Sequence, residues 1–61
     1  MIDRLNYNLK ITERLNYIFK KAPYLRFTQL LTLLSLDRDL FYEEPDKTLN
    51  RIEKYIALNF N

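Results

Sequence analysis

Cysteine, histidine and glycine are all missing from this 61-residue chain, and proline occurs only twice. Each absence removes a class of answer. A domain below ~70 residues usually leans on a disulfide, a metal or a partner subunit, and without cysteine or histidine the first two supports are gone. A partner chain is the support that remains. Lack of glycine argues against tight hairpin turns and against a glycine-rich phosphate loop. Lack of both histidine and cysteine also takes away the usual general base and nucleophile, leaving Ser35 and the threonines with no base but carboxylates, so no catalytic residue is assigned. No apolar run approaches the ~18 residues of a membrane span, and the longest, Leu30 to Leu36, is broken by Thr32 and Ser35. The opening residues hold Asp3, Arg4 and Asn6 rather than an apolar core followed by small residues, so they do not read as a secretory signal. A cytoplasmic protein is the expectation, with no membrane partner and no cofactor.

What is present is apolar and aromatic: 48% of residues, with five tyrosines and four phenylalanines. A chain of this size buries only ~60% of the surface its unfolded form exposes, so this is more apolar surface than one thin core hides. The expectation is a single small domain that associates with another copy, as a dimer, or with a different protein.

The two prolines divide the chain into three helical segments. Over residues 11 to 22, Ile11, Leu15, Ile18, Phe19 and Ala22 fall on one helical face, Thr12 is a candidate cap, and Pro23 ends the run. The second segment, from about Tyr24 to Ser35, places Phe27, Leu30, Leu31 and Leu34 together and is expected to be central. The third starts at Glu44-Pro45-Asp46, where proline suits the first helical position and acids suit the N-terminus. It then carries Leu49, Ile52 and Ile56 on one side and ends near Leu58. Between the second and third, Leu36 to Glu43 reads as a connector pinned by Phe41 and Tyr42. The fold class is therefore all-α, a three-helix domain over residues 1–61.

Residues 1–10 leave two readings open. Arg4-Leu5-Asn6-Tyr7 recurs as Arg14-Leu15-Asn16-Tyr17, but ten positions fall about 80° short of three helical turns, so the copies sit on different faces. Ile2, Leu5 and Leu9 are also out of phase with Ile11 and Leu15. Either the first helix is kinked near Ile11, or residues 2–10 form a separate arm.

Charge is uneven. Residues 1–26 carry six bases against Asp3 and Glu13, whereas residues 27–61 carry four bases against six acids, together the net +2 of the chain. On a continuous helix Tyr7, Lys10, Arg14, Tyr17 and Lys21 would form one stripe of bases and aromatics, the pattern of a nucleic-acid face. Equally, such a stripe is the ordinary solvated side of an amphipathic helix, and +2 is a small charge for a nucleic-acid binder. Nucleic-acid binding is thus the alternative and a protein partner the leading reading. Glu43, Glu44 and Asp46 lack the regular oxygen-ligand spacing of a calcium loop and read as a helix N-terminus, so no metal is assigned.

Pro23-Tyr24-Leu25-Arg26-Phe27-Thr28-Gln29-Leu30-Leu31, followed by Asp39-Leu40-Phe41-Tyr42-Glu43-Glu44, resembles a family of short uncharacterised proteins from bacteria and their phages. The family pattern is approximately P-x-L-R-F-x-Q-L-L, then D-x-F-Y-x-E. The resemblance covers roughly residues 18 to 52, and the family carries glycine where this chain has Thr28. It implies no activity by itself. It does imply a phage accessory protein, of a kind that often binds and blocks a host enzyme, including defence systems. Within the pattern, Phe27, Leu30 and Leu31 read as core and Phe41 as a plug under the connector. Arg26 is expected to pair with Asp39 or Glu43, or else to face a partner. Tyr17, Lys21, Tyr24, Arg26, Gln29, Phe41 and Tyr42 are the partner-binding candidates, since tyrosine and arginine recur at interface hot spots.

Overall fold

Asp3 opens the first helix. Its Oδ1 accepts the backbone N–H of Asn6 at 3.1 Å and its Oδ2 accepts the Asn6 side-chain amide at 2.7 Å, which satisfies one of the donors a helix start leaves free. In the computed structural model, which describes residues 2–60, helix α1 then runs from Arg4 to Lys21. Residues 4–10 therefore lie in the same helix as residues 11–21. Thr12 caps nothing, contrary to its sequence reading, because it sits mid-helix and turns its hydroxyl back onto the Leu9 carbonyl at 2.9 Å. Ala22 closes the helix with its N–H on the Ile18 carbonyl, and its extended φ of −133° is what the following Pro23 demands. Lys20 and Lys21 fill the last turn, where cations suit the dipole.

The second helix, α2, spans Phe27–Leu33, shorter at both ends than the apolar pattern suggests. At its start Gln29 Oε1 reaches back to accept the Arg26 backbone N–H at 2.9 Å. At its end Leu36 N–H bonds the Leu31 carbonyl at 2.7 Å and Ser35 N–H bonds the Thr32 carbonyl at 3.0 Å, the paired bonds of a Schellman turn. Such a turn needs one residue in the left-handed region, and with no glycine in the chain Ser35 takes it, at φ 58°. Ser35 alone among the described non-glycine residues has a positive φ, so Thr28, where the resembling family carries glycine, is in ordinary helical backbone.

Helix α3 spans Pro45–Phe60, with proline in its first position as the sequence indicates, and continues two residues past Leu58. Its direction follows from its contacts with α1. Arg4 meets Glu44, Arg14 meets Glu53, and Tyr17 meets Phe60, so α1 and α3 run side by side in the same sense, with both N-termini at one end. The described residues contain three helices and no strand.

Ile18, Leu30, Leu34, Ile52 and Ile56 form the buried core, one position from α1, one from α2, one from its C-cap and two from α3. At ~25 cal/mol per Å² of apolar surface removed from water, each fully buried side chain of this kind contributes about 1.5–3 kcal/mol. Ile11, Leu15, Phe19, Leu25 and Leu36 pack around it, half-buried. Phe27 is not core: its ring is 57% exposed and stacks on Phe19 with centroids 6.2 Å apart. Leu31 is only half-buried. Both follow from the shortness of α2, whose single line of contact is spent on Leu30 and Leu34.

Candidate functional site

The connector after α2 is short of regular structure but well fastened. Arg51, on α3, donates through Nη1 to the Ser35 carbonyl at 3.2 Å and through Nη2 to Glu43 Oε2 at 2.8 Å. Glu43 Oε1 in turn accepts the Thr48 hydroxyl at 2.7 Å. One guanidinium thus ties both ends of the connector to the helix behind it, and Glu43, its side chain only 15% exposed, is held by two donors. Planar, forked donors make arginine suited to this double attachment.

Between those two anchor points the chain turns outward. Asp39 Oδ1 accepts the Phe41 N–H at 3.2 Å, and Glu43 N–H bonds the Leu40 carbonyl at 2.9 Å, closing a turn with Phe41 and Tyr42 at its tip. The two rings pack edge to face, centroids 4.9 Å apart, and are 83% and 90% exposed. Phe41 is therefore not a plug beneath the connector. The hydrogen-bonded turn directs it away from the core, where Leu36 packs instead. Beside the pair lies an open groove whose wall includes Arg4, Asn8, Ile11, Pro45 and Thr48, so residues from α1, the connector and α3 converge there. Arg4 and Glu44 bridge its edge through a two-bond pair of 2.9 and 3.1 Å. That hydrogen bond, and then the carboxylate's charge, raises the pKa of the Arg4 guanidinium above its ordinary value.

No family model matches the chain, and neither does a curated protein or a solved structure.

The remaining partner-binding candidates lie toward the opposite end, near the C-terminus of α1, roughly 25 Å along the helix from Arg4. Tyr17 is half-buried, edge-on to Phe60 at 6.4 Å, with the Lys21 ammonium 5.7 Å over its ring. Tyr24 is exposed in the turn after Pro23. Gln29 spends its side-chain oxygen on the Arg26 backbone. The Arg26 side chain pairs with neither Asp39 nor Glu43: Glu43 is committed to Arg51 and Thr48, and Asp39 to the Phe41 turn. The seven candidates thus fall into two groups, five at one end and Phe41 with Tyr42 at the other.

The basic stripe is continuous along α1 but only partly open. Lys10 lies 5.5 Å over the Tyr7 ring, Arg14 is tied to Glu53 at 2.7 Å, and Tyr17 packs on α3. Exposed surface pairs of this kind contribute little to stability, but a guanidinium facing a carboxylate is less available to a phosphate. The acidic trio does not gather either. Glu43 binds Arg51, Glu44 binds Arg4, and Asp46 accepts its neighbour Lys47's N–H at 2.9 Å.

The residue that sequence reading missed is Arg51. Its partner Glu43 lies eight positions away and outside the helix, so no helical spacing connects them.

Proposed function

We propose that this chain is a small protein-interaction module that docks on a larger protein through the Phe41–Tyr42 tip and the groove beside it. The observation that carries the reading is the pairing of extreme exposure with fixed backbone: two adjacent rings above 80% exposed, on a connector clasped at both ends by Arg51. Aromatic side chains presented this way bring large contact area at small entropic cost, because the loop that carries them is already ordered. Tyrosine supplies a hydroxyl for a polar contact at the rim, and the Arg4–Glu44 pair borders the groove with charge of both signs.

The class of partner comes from the resemblance of residues 18–52 to short phage proteins, which supports an inhibitor acting on a host defence protein in the host cytoplasm. Binding is the function and no reaction is assigned. A bait of the full chain in bacterial lysate, compared with the Phe41→Ala/Tyr42→Ala double variant, tests this. The expected result is a captured protein that disappears with the variant while the circular dichroism spectrum stays helical. Capture that persists undiminished in the variant overturns the assignment of the site.

The second reading, a nucleic-acid-binding accessory protein, draws support from the continuity of α1, which puts Lys10, Arg14 and Lys21 on one stripe. Salt separates the two. Phosphate neutralisation loses affinity steeply as salt rises, whereas an apolar aromatic contact does not.

A further inference from the structure

The end of the molecule away from the Phe41–Tyr42 tip is basic. From Arg14 to Leu36 the chain holds four bases, Arg14, Lys20, Lys21 and Arg26, and no acid, and only Arg14 is taken, by Glu53. Lys20, Lys21 and Arg26 are exposed and pair with no acid among the described residues. Helices α1 and α3 both end here, and their C-terminal dipoles together amount to about one negative charge, fewer than the three cations beside them. The fold also joins two cation–aromatic pairs that are distant in sequence. Phe19 is followed by Lys20 and Phe27 is preceded by Arg26, and the two rings stack at 6.2 Å with 26° between their planes. Phe19 packs on the core and backs the stack, whereas Phe27 is 57% exposed. Tyr24, 80% exposed, lies in the turn between the two helices. Lys21 sits over Tyr17, about 160° around α1 from Phe19.

We infer that this end binds single-stranded nucleic acid, with bases stacked on Phe27 and Tyr24 and phosphates held by Lys20 and Arg26. Two independent observations point to that ligand. The acid-free stretch gives the surface the charge that a polyanion neutralises. The core-backed ring pair adds what a bare phosphate or a lipid headgroup does not use, an aromatic platform on which an unpaired base continues a stack already begun. In a duplex the bases cover one another, so exposed rings flanked by cations select a single strand. Every base has a π-face, so the contact is indifferent to sequence. The inference goes beyond docking through the tip, and it moves nucleic-acid binding off the α1 stripe. On the stripe Arg14 faces Glu53 and Tyr17 packs on α3, whereas Lys20, Tyr24, Arg26 and Phe27 do not belong to it. With the tip at the other end of α1, one chain can hold a strand and a protein at the same time.

Fluorescence anisotropy of a labelled oligodeoxythymidine, titrated with the full chain at about 50 mM salt and again at higher salt, is the test. The expected result is saturable binding whose affinity falls with salt at a log–log slope of about −1.4, the ~0.7 per phosphate of a single strand for two phosphates. Lys20→Ala and Arg26→Ala should each make the slope shallower by about 0.7. Phe27→Ala should weaken binding ~5- to 100-fold at unchanged slope, and Phe27→Tyr should restore it. Circular dichroism reads the fold of each variant, and Tyr24→Ala, outside both helices, removes a stacking ring without touching the Phe19–Phe27 pair. Lys10→Ala on the stripe and Phe41→Ala/Tyr42→Ala at the tip should bind the strand as wild type does. Lys20→Ala/Arg26→Ala should still capture a protein through the tip, so failure of one surface is distinguishable from failure of the other. Absence of binding at about 50 mM salt overturns the proposal. So does equal affinity for the strand annealed to its complement, for polyphosphate or for vesicles of anionic phospholipid, since each offers phosphates without an open base. A loss in Lys10→Ala equal to that in Lys20→Ala overturns the assignment to this end.

Discussion

Replacing Ser35 by glycine should make the protein more stable, and the amount follows from the backbone. Ser35 holds φ 58° at the position just past α2 where a left-handed residue closes the Schellman turn. For a residue with a Cβ that conformation costs roughly 1–2 kcal/mol. Glycine removes the clash but brings about 0.5–1 kcal/mol of extra chain entropy to lose on folding. The difference leaves a gain of about 0.5–1 kcal/mol, or roughly 2 to 8 °C in melting temperature for a domain of this size. Nothing else in the turn is disturbed, because the two bonds that define it, and the bond from Arg51, are made to backbone groups and none uses the Ser35 hydroxyl. Urea unfolding followed by helical circular dichroism measures it, with Ser35→Ala as control: alanine keeps the Cβ and should show no gain. A glycine variant no more stable than the alanine variant, at unchanged urea dependence, would refute the claim that strain is stored there.

Three further outcomes are expected. Arg51→Ala should cost about 1–3 kcal/mol in urea unfolding, since it strands the mostly buried Glu43 carboxylate and frees the Ser35 carbonyl, and Arg51→Lys should recover only part of that. Ile52→Ala and Ile18→Ala should each cost ~2–5 kcal/mol by emptying fully buried positions, whereas Leu31→Ala, half-buried, should cost less; calorimetry ranks the three. Asp3→Ala should lose about 1 kcal/mol through the cap of α1, with amide exchange accelerating first near Asn6.

Helix content and core were legible wherever a single face decides the pattern. Ile18, Leu30, Leu34, Ile52 and Ile56 were all on the apolar stripes, and Pro23 and Pro45 marked an end and a start that the structure keeps. The opening of α1 was not legible, because Leu5 and Leu9 belong to its outer side while half-buried Tyr7 and Ile11 mark the core side. Two apolar faces on one helix cancel the periodicity of either. Helix α2 looked longer than it is because Leu33 and Leu34 carry the pattern on to a serine, and only glycine would have announced the left-handed stop. Of the site, the aromatics at 41 and 42 were visible as residues, but their direction was not. It depends on the Asp39 turn and on the reach of Arg51 across the connector.

The shared direction of α1 and α3 also constrains how the chain folds. Neighbouring helices joined by a tight turn run oppositely and meet early, through contacts close in sequence. Here Arg4 and Glu44 stand 40 positions apart, and Arg14 and Glu53 are separated by a similar stretch. No helix finds its main packing surface until a loop of that length has closed, at an entropic cost that local structure does not offset. Residues 1–26 supply only Ile18 to the core and residues 27–61 the other four positions, so the first half alone has no core to fold around and the second lacks the helix that covers its own. Mixed together, the two halves have a route to the native pairing, and recovery of helical signal only on mixing would be its signature.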